Sequence, residues 1–393
     1  MSDRERSFWG WGYVDEHPSD DEIRSLGNSL EERFDFPELT LEPRPSLEAM
    51  SAPPTDLSVP SDLEGVATTD EAARIRHTYG DAYRDKVRAL RGDFSVAPDV
   101  VARPTNEEDV ADLLEWASAA GVAVIPFGGG TSVVGGVEGD VPGEFAGVVS
   151  LDMRAMDAVL EVDDVSRAAR IQAGAMGPQI QDQLRDHGFQ LRHYPQSYEF
   201  STLGGWLATH AGGHFATQYT HIDDFAESVR MVAPAGTVET RRVAASGAGP
   251  DPNHFVLGSE GALGVITEAW MQVQPRPDYR SRATVHFDDF DDAVAATRDI
   301  AQARLAPANC RLLDSNESYL FQVDDSGAHL LVLGFESTDH PTESDMERAL
   351  EICDGHGGDC PRGALYGSPD EDEDSPENRW RRAFIEAPYL WDG

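Results

Sequence analysis

A chain of 393 residues of which 40% are apolar is long enough for two buried cores, which excludes a mainly disordered protein. Against 31 lysines and arginines stand 71 aspartates and glutamates, a formal charge of −40 spread along the whole length, with Lys86 the single lysine. No basic patch survives such a balance, which argues against a nucleic-acid partner; repulsion on this scale is screened where salt is molar and the Debye length is about 3 Å, so the composition predicts a salt-rich cytoplasm.

The predicted elements begin with an acidic, proline-rich segment, residues 1–92, with helical stretches near 20–34 and 70–90 and a flexible arm over 40–60. A strand from Val100 runs into Pro104. Thr105 is then placed to cap a helix whose Val110, Leu113, Leu114 and Ala117 follow helical spacing. The next strand, 122–127, completes a βαβ unit and leads into a glycine loop. A dinucleotide fingerprint would open the helix after the first strand, and a Walker loop would end in Gly-Lys-Ser/Thr, so neither an NAD site nor a P-loop is expected. A strand at 148–151, a hairpin of 158–162 with 168–173, a helix over 177–187 stopped by Gly188, a hairpin of 228–233 with 237–241 and a strand over 264–274 complete an α+β domain.

The rhythm changes near Tyr279. Strands at 283–287, 309–313 and 330–335 alternate with helices at 291–304 and 342–354, the latter carrying Met346, Ala349, Leu350 and Cys353 on one face, as in an antiparallel sheet backed by helices. The acidic run within 369–378 reads as a solvated loop. Cys310, Cys353 and Cys360 lack CxxC spacing and read as ordinary thiols. The charged N-terminus has no signal-peptide core and no transmembrane segment is evident, so a soluble cytoplasmic protein is expected.

Three segments carry the chemistry. Pro126, Phe127, Gly128, Gly129, Gly130, Thr131 and Ser132 form the first glycine loop; a second glycine-rich turn runs from Gly258 to Ile266; between them lies a stretch of small and hydroxyl residues from Gln196 to Gly213. Glycines let the main chain approach phosphate oxygens, and successive N–H groups form an anion-binding concavity, so the pattern points to one long anionic cofactor held by backbone amides.

PFGGGTS, SYEFSTLGGWLATHAGG and GSEGALGVIT together resemble the flavin-binding domain of the vanillyl-alcohol-oxidase (para-cresol-methylhydroxylase) superfamily. Trp9-Gly10-Trp11-Gly12, EFSTLGGW and RLLD, in that order, are similar to the alkyl-dihydroxyacetone-phosphate synthases within it. The resemblance implies an α+β fold with an N-terminal wrapping segment (1–92), a two-subdomain PCMH-type FAD-binding domain (93–276) and a partial antiparallel-sheet cap over the substrate (277–393). It implies noncovalent FAD, because relatives that tether the flavin here use a histidine that the first loop lacks. By the same resemblance the first loop wraps the pyrophosphate; Gln196, Ser197, Tyr198, Glu199, Phe200, Ser201, Thr202, Thr209, His210, Ala211 and Gly212 line the pyrophosphate and isoalloxazine; and Glu260, Gly261, Ala262, Leu263, Gly264, Val265 and Ile266 meet the adenosine end and the ring edge. Arg311 matches a cap arginine near the substrate, and its guanidinium suits a phosphate or carboxylate.

Plainer roles stay open: Ser201 and Thr202 as caps, Glu260 as a surface carboxylate, and Arg311 as the partner of Asp314. His193, His210, His214 and His221 are expected at the surface or behind the site, and no metal is expected. The resemblance implies flavin N5 chemistry on a small phosphorylated or carboxylated substrate, in which a fatty alcohol replaces an acyl group that leaves as a carboxylate. The alternatives are a D-lactate or 2-hydroxy-acid dehydrogenase-type FAD enzyme and a flavin-binding remnant without turnover. Family members run on past residue 393, through a His-rich motif, a catalytic tyrosine and C-terminal helices, so a truncated chain is expected; a homodimer is left open.

Overall fold

The computed structural model describes residues 4–34, 40–243, 246–321 and 323–367. Its first sheet places Ala67–Thr68, Val100–Ala102, Val148–Asp152 and Ala123–Phe127 side by side. The last three are parallel, with Val100 opposite Val149 and Ala123 opposite Val148. Parallel neighbours need a crossover, here the helix Glu107–Ala120, which buries Val110, Leu113, Leu114 and Ala117. Its cap is Asn106 rather than Thr105. Asn106 is extended and its Oδ1 accepts the Asp109 N–H at 3.0 Å, while Thr105 gives both its N–H and its hydroxyl to the Asp109 carboxylate at 2.8 Å.

A second sheet is antiparallel throughout, in the order Val159–Asp163, Ala168–Gln172, Val265–Gln272, Ala226–Ala233, Gly236–Glu239. Both expected hairpins are present in it. The helices Gly177–Arg185 and Leu203–Thr209 bury Ile180, Leu184, Leu203, Trp206 and Leu207 against this sheet. The two sheets meet where Val232 and Val265 of the second join Val149 and Leu151 of the first, with Met153 just beyond, in one cluster.

The helical stretch expected over 70–90 is two helices, Glu71–Arg76 and Tyr83–Leu90. The break has a steric cause. Gly80 lies so close to the Ser132 carbonyl that a Cβ would overlap it, and the Asp81 N–H donates to Ser132 O at 2.7 Å, so this segment is bent to seat the glycine loop.

In the segment expected to form a cap, Asn309–Leu313, His329–Ser337, Tyr279–Phe287 and Leu365–Tyr366 form an antiparallel sheet. The helices Phe290–Gln302 and Glu343–Gly355 pack Ala293, Ile300, Met346 and Cys353 onto Val285, Phe287, Leu331 and Leu333. Main-chain and side-chain bonds tie this third sheet to the preceding two: Ala216 N–H to Ala308 O at 2.9 Å and the Thr217 hydroxyl to Pro307 O at 2.7 Å. The acidic run within 369–378 and the chain end near 391–393 lie outside the described residues. No helix among the described residues is long and apolar enough to cross a membrane.

Candidate functional site

The first glycine loop leaves the parallel sheet at Phe127 and is pressed against the segment that precedes the helix Leu203–Thr209. A Cβ on Gly128 would overlap Thr202 Oγ1, and one on Gly129 would overlap the Phe200 carbonyl oxygen. Gly130 has φ +70°, where a side chain is strained. Phe200 is in turn held from behind by the N-terminal segment: Trp11 and Tyr13 meet it edge-on at 5.5 and 5.2 Å, and the Arg6 guanidinium lies over it at 4.1 Å.

These contacts frame a cleft of about 370 Å³ along the seam of the two sheets. Its walls include Pro126, Phe127, Gly128, Gly129, Gly130, Thr131 and Ser132 from the first loop, Ser197, Ser201, Thr202, Thr209 and Ala211 from the middle segment, and Glu260, Gly261, Gly264, Val265 and Ile266 from the second glycine turn. Three distant stretches of sequence thus converge. Gln196, Tyr198, Glu199, Phe200, His210, Gly212, Ala262 and Leu263 lie outside the lining. Tyr198 stacks on Trp206 at 6.2 Å and donates its hydroxyl to Gly177 O, Phe200 forms the floor just described, and His210 caps its helix in a left-handed conformation beside Asp223.

Met153, Ala173, Gly204, Gly205, Trp206, Ala208, Val133, Val134, Gly136 and Val137 also line the cleft. The valines extend the glycine loop directly, and their 68% and 70% exposure at Val133 and Val134 marks them as wall rather than core. Met153 and Ala173 have no local signal. They enter because each follows a strand that ends at the seam.

The donor set suits a long dinucleotide with an anionic waist and a flat ring. Among the described residues, no backbone hydrogen bond outside the regular elements uses the N–H groups of Gly129, Gly130, Thr131 or Ser132. Four successive donors are left for an anion. Gly205 has open space before it: a Cβ there would meet within 4 Å only Thr202 Oγ1, and would therefore fill the cleft. Several hydroxyls are already engaged, since Ser201 accepts the Trp206 indole N–H at 2.6 Å and Ser132 accepts Gly136 N–H at 3.1 Å. Glu260, at φ +52°, is the one charged residue of the lining among the described residues, and burial raises its carboxyl above the ordinary range.

Behind the cleft, His193 is 1% exposed, set edge-on against Trp206 and Phe225, and neither ring nitrogen has a hydrogen-bond partner among the described residues. Burial pushes it down to about 3, so it is a neutral core histidine and not a surface one. No group of three or more His, Cys, Asp or Glu among the described residues is arranged to hold a metal ion. Arg311 stands in the cap strand Asn309–Leu313 opposite Val332, apart from the cleft lining. Burial lowers its basicity and Glu317 opposes that, while Asp314 Oδ1 accepts the N–H groups of Asn316 and Glu317 as a helix cap.

Residues 98–241 match the FAD binding domain model, and residues 276–387 match the C-terminal domain of FAD linked oxidases. The chain is 43% identical over 251 residues to alkyldihydroxyacetonephosphate synthase of Dictyostelium discoideum, covering 64% of this chain and 41% of that protein. It is 30% identical over 287 residues to D-lactate dehydrogenase of Archaeoglobus fulgidus, covering 70% and 63%. The chain therefore spans under two thirds of the length of either curated relative. A solved structure of alkyldihydroxyacetonephosphate synthase superposes with a TM-score of 0.81 at 30% identity, over 98% of this chain and 77% of that one. With three glycine-bearing segments meeting in one cleft and these likenesses across nearly the whole chain, the protein belongs to the FAD-linked oxidase family together with the alkyldihydroxyacetonephosphate synthases, and its cofactor is FAD.

Proposed function

We propose that the chain is an enzyme of the alkyldihydroxyacetonephosphate synthase type, acting on a small ketose phosphate ester and a fatty alcohol. The observation that carries this reading is the row of N–H donors from Gly129 to Ser132 at a cleft whose surroundings match such a synthase over 98% of the chain. When bound, FAD supplies N5, the atom at which substrate carbon or hydride adds.

The residues of this chain do the holding. Gly129 to Ser132 would receive the pyrophosphate, with Thr131 adding a hydroxyl, while Trp206, Val265 and Ile266 give an apolar wall for the ring. Glu260, raised by burial, sits beside Ser132 and Gly136, where a hydroxyl of the adenosine half would meet it. Arg311 would bind the phosphate of the substrate from the cap, a role that needs a permanent, forked cation. Since the first loop holds no histidine, the flavin is noncovalent. We place the working protein in salt-rich cytoplasm, on its charge of −40.

A second reading, hydride transfer from D-lactate or a related 2-hydroxy acid, is favoured by the likeness to D-lactate dehydrogenase. One pair of assays separates the two. Exchange of a labelled fatty alcohol into an acylated ketose phosphate supports the synthase reading; bleaching of the flavin by D-lactate without such exchange replaces it by the dehydrogenase reading.

A further inference from the structure

Behind the first glycine loop lies a buried charge cluster whose own residues are not part of the cleft lining. Asp152 ends a parallel strand with its side chain 3% exposed. Its carboxylate meets donors from three directions: Arg154 Nη2 at 2.6 Å and Nε at 2.8 Å, Arg103 Nε at 3.2 Å, and His77 Nε2 at 3.1 Å. His77 is fixed at its other nitrogen by Ala73 O at 2.7 Å. Burial opposes the charge on Asp152, yet the hydrogen bonds from Arg154 and His77 hold it well below the ordinary carboxylate range.

The cluster leads to the loop through one aromatic ring. His77 packs on Phe127 at 4.6 Å between centroids, and the Arg154 guanidinium lies 5.8 Å from the same ring. Phe127 in turn lies under Gly130, where a Cβ would come within 2.7 Å of Cζ. The ring thus lies between the charge cluster and the loop, in contact with His77 and Arg154 on one side and closely approached by Gly130 on the other. A buried, multiply bonded charge is costly to disturb and so defines one arrangement of its neighbours.

We infer that Asp152 is a positioning residue for FAD, fixing the direction of the loop N–H donors through His77, Arg154 and Phe127 without touching the cofactor. The inference rests on the flavin reading of this cleft. Near neighbours in one network couple non-additively, whereas independent sites add.

The test is FAD titration of the deflavinated protein, followed by quenching of flavin fluorescence, with folding checked by circular dichroism at the same salt. Asp152→Asn is expected to weaken FAD binding by about tenfold, and His77→Gln, which leaves Asp152 with both arginines, by about threefold. In a Phe127→Leu background the Asp152→Asn loss is expected to shrink to about twofold or less, a dependence that a general loss of stability would not produce. Glu107→Gln, which breaks the distant pair with Arg230, is expected to leave the affinity unchanged. Unchanged affinity in folded Asp152→Asn and His77→Gln, or equal losses with and without Phe127, would overturn the inference. If Asp152→Asn does not fold, the His77→Gln and Phe127→Leu cycle decides on the same criterion. Failure of the wild-type protein to bind FAD would overturn the reading of the cleft itself.

Discussion

The flavin half and the cap use the same antiparallel pairing to different ends. In the cap, Tyr279–Phe287 faces His329–Ser337 through nine successive pairs without a shift. In the flavin half, Val265–Gln272 slips twice against Ala226–Ala233, first between Ile266 and Glu268, immediately after residues that line the cleft. Bulges bend a strand and re-aim its side chains, so the sheet that lines the cleft is irregular where it does so, and the sheet that stands apart from the lining is not.

Charge separates the two halves as well. In the flavin half Asp152 gathers two arginines and His77, and Glu138 is held by Arg84 and Arg88. The cap helix Glu343–Gly355 sets Glu343, Asp345, Glu347, Glu351 and Asp354 against Arg348. The two enclosed acids of the flavin half have cations beside them, whereas the acids of this helix share one arginine and are otherwise left to the medium.

The largest effect should therefore come from salt. Transfer from about 2 M salt to tens of millimolar lengthens the Debye length severalfold or more, and the fold should be lost, the cap first. Hydrogen exchange that rises in both halves together would break the contrast, and a melting temperature independent of salt would remove the adaptation argument.

Next comes Gly129→Ala. Its Cβ must displace the Phe200 carbonyl, and overpacking of about 1–3 kcal/mol implies FAD affinity lower by up to about a hundredfold. Gly334→Ala in the cap sheet places its Cβ 3.4 Å from Asn309 Cβ, an ordinary contact, and should leave FAD affinity unchanged. Similar FAD affinities for the two variants, measured by titration, would show that the loop is not tightly set.

Arg311→Ala should lower kcat/KM by roughly tenfold to a hundredfold through loss of a charged hydrogen bond, with FAD affinity as in the wild type. Arg311→Lys should recover only part of the loss. An effect on FAD affinity instead would move Arg311 from substrate to structure.

The smallest effect concerns Asp85, whose enclosed carboxyl is pushed up to about 6 by burial and by neighbouring Glu138. A raised carboxyl binds its proton better in the folded state. Its contribution to stability is thus full below 3.8 and declines as pH rises to about 6. In urea titrations Asp85→Asn should lack this decline; matching profiles for variant and wild type would show that the group does not titrate in that window.

How much of this was legible in the sequence follows from where each signal resides. The first glycine loop and the regular cap strands are written in short windows, as Gly-Gly-Gly after an apolar strand and as period-two or helical spacing. The helix Leu203–Thr209 was not, because Gly204 and Gly205 depress helix propensity and only burial of Trp206 and Leu207 sustains it. The break at 77–82 exists because Ser132, fifty residues on, needs Gly80 beneath it. Met153 and Ala173 reach the cleft by strand order, and the burial of His193 depends on Phe225 arriving from elsewhere. Local chemistry shows in the sequence; convergence belongs to topology.

A cleft at the seam of two sheets predicts that folding yield depends on the supply of the cofactor. The cleft of about 370 Å³ lies between two partly shared cores, and a ligand that binds only the folded chain, at a hundred times its Kd, adds about 2.7 kcal/mol to folding stability. Riboflavin in the growth medium should then set the yield of intact protein from expression cultures, before any question of catalysis arises.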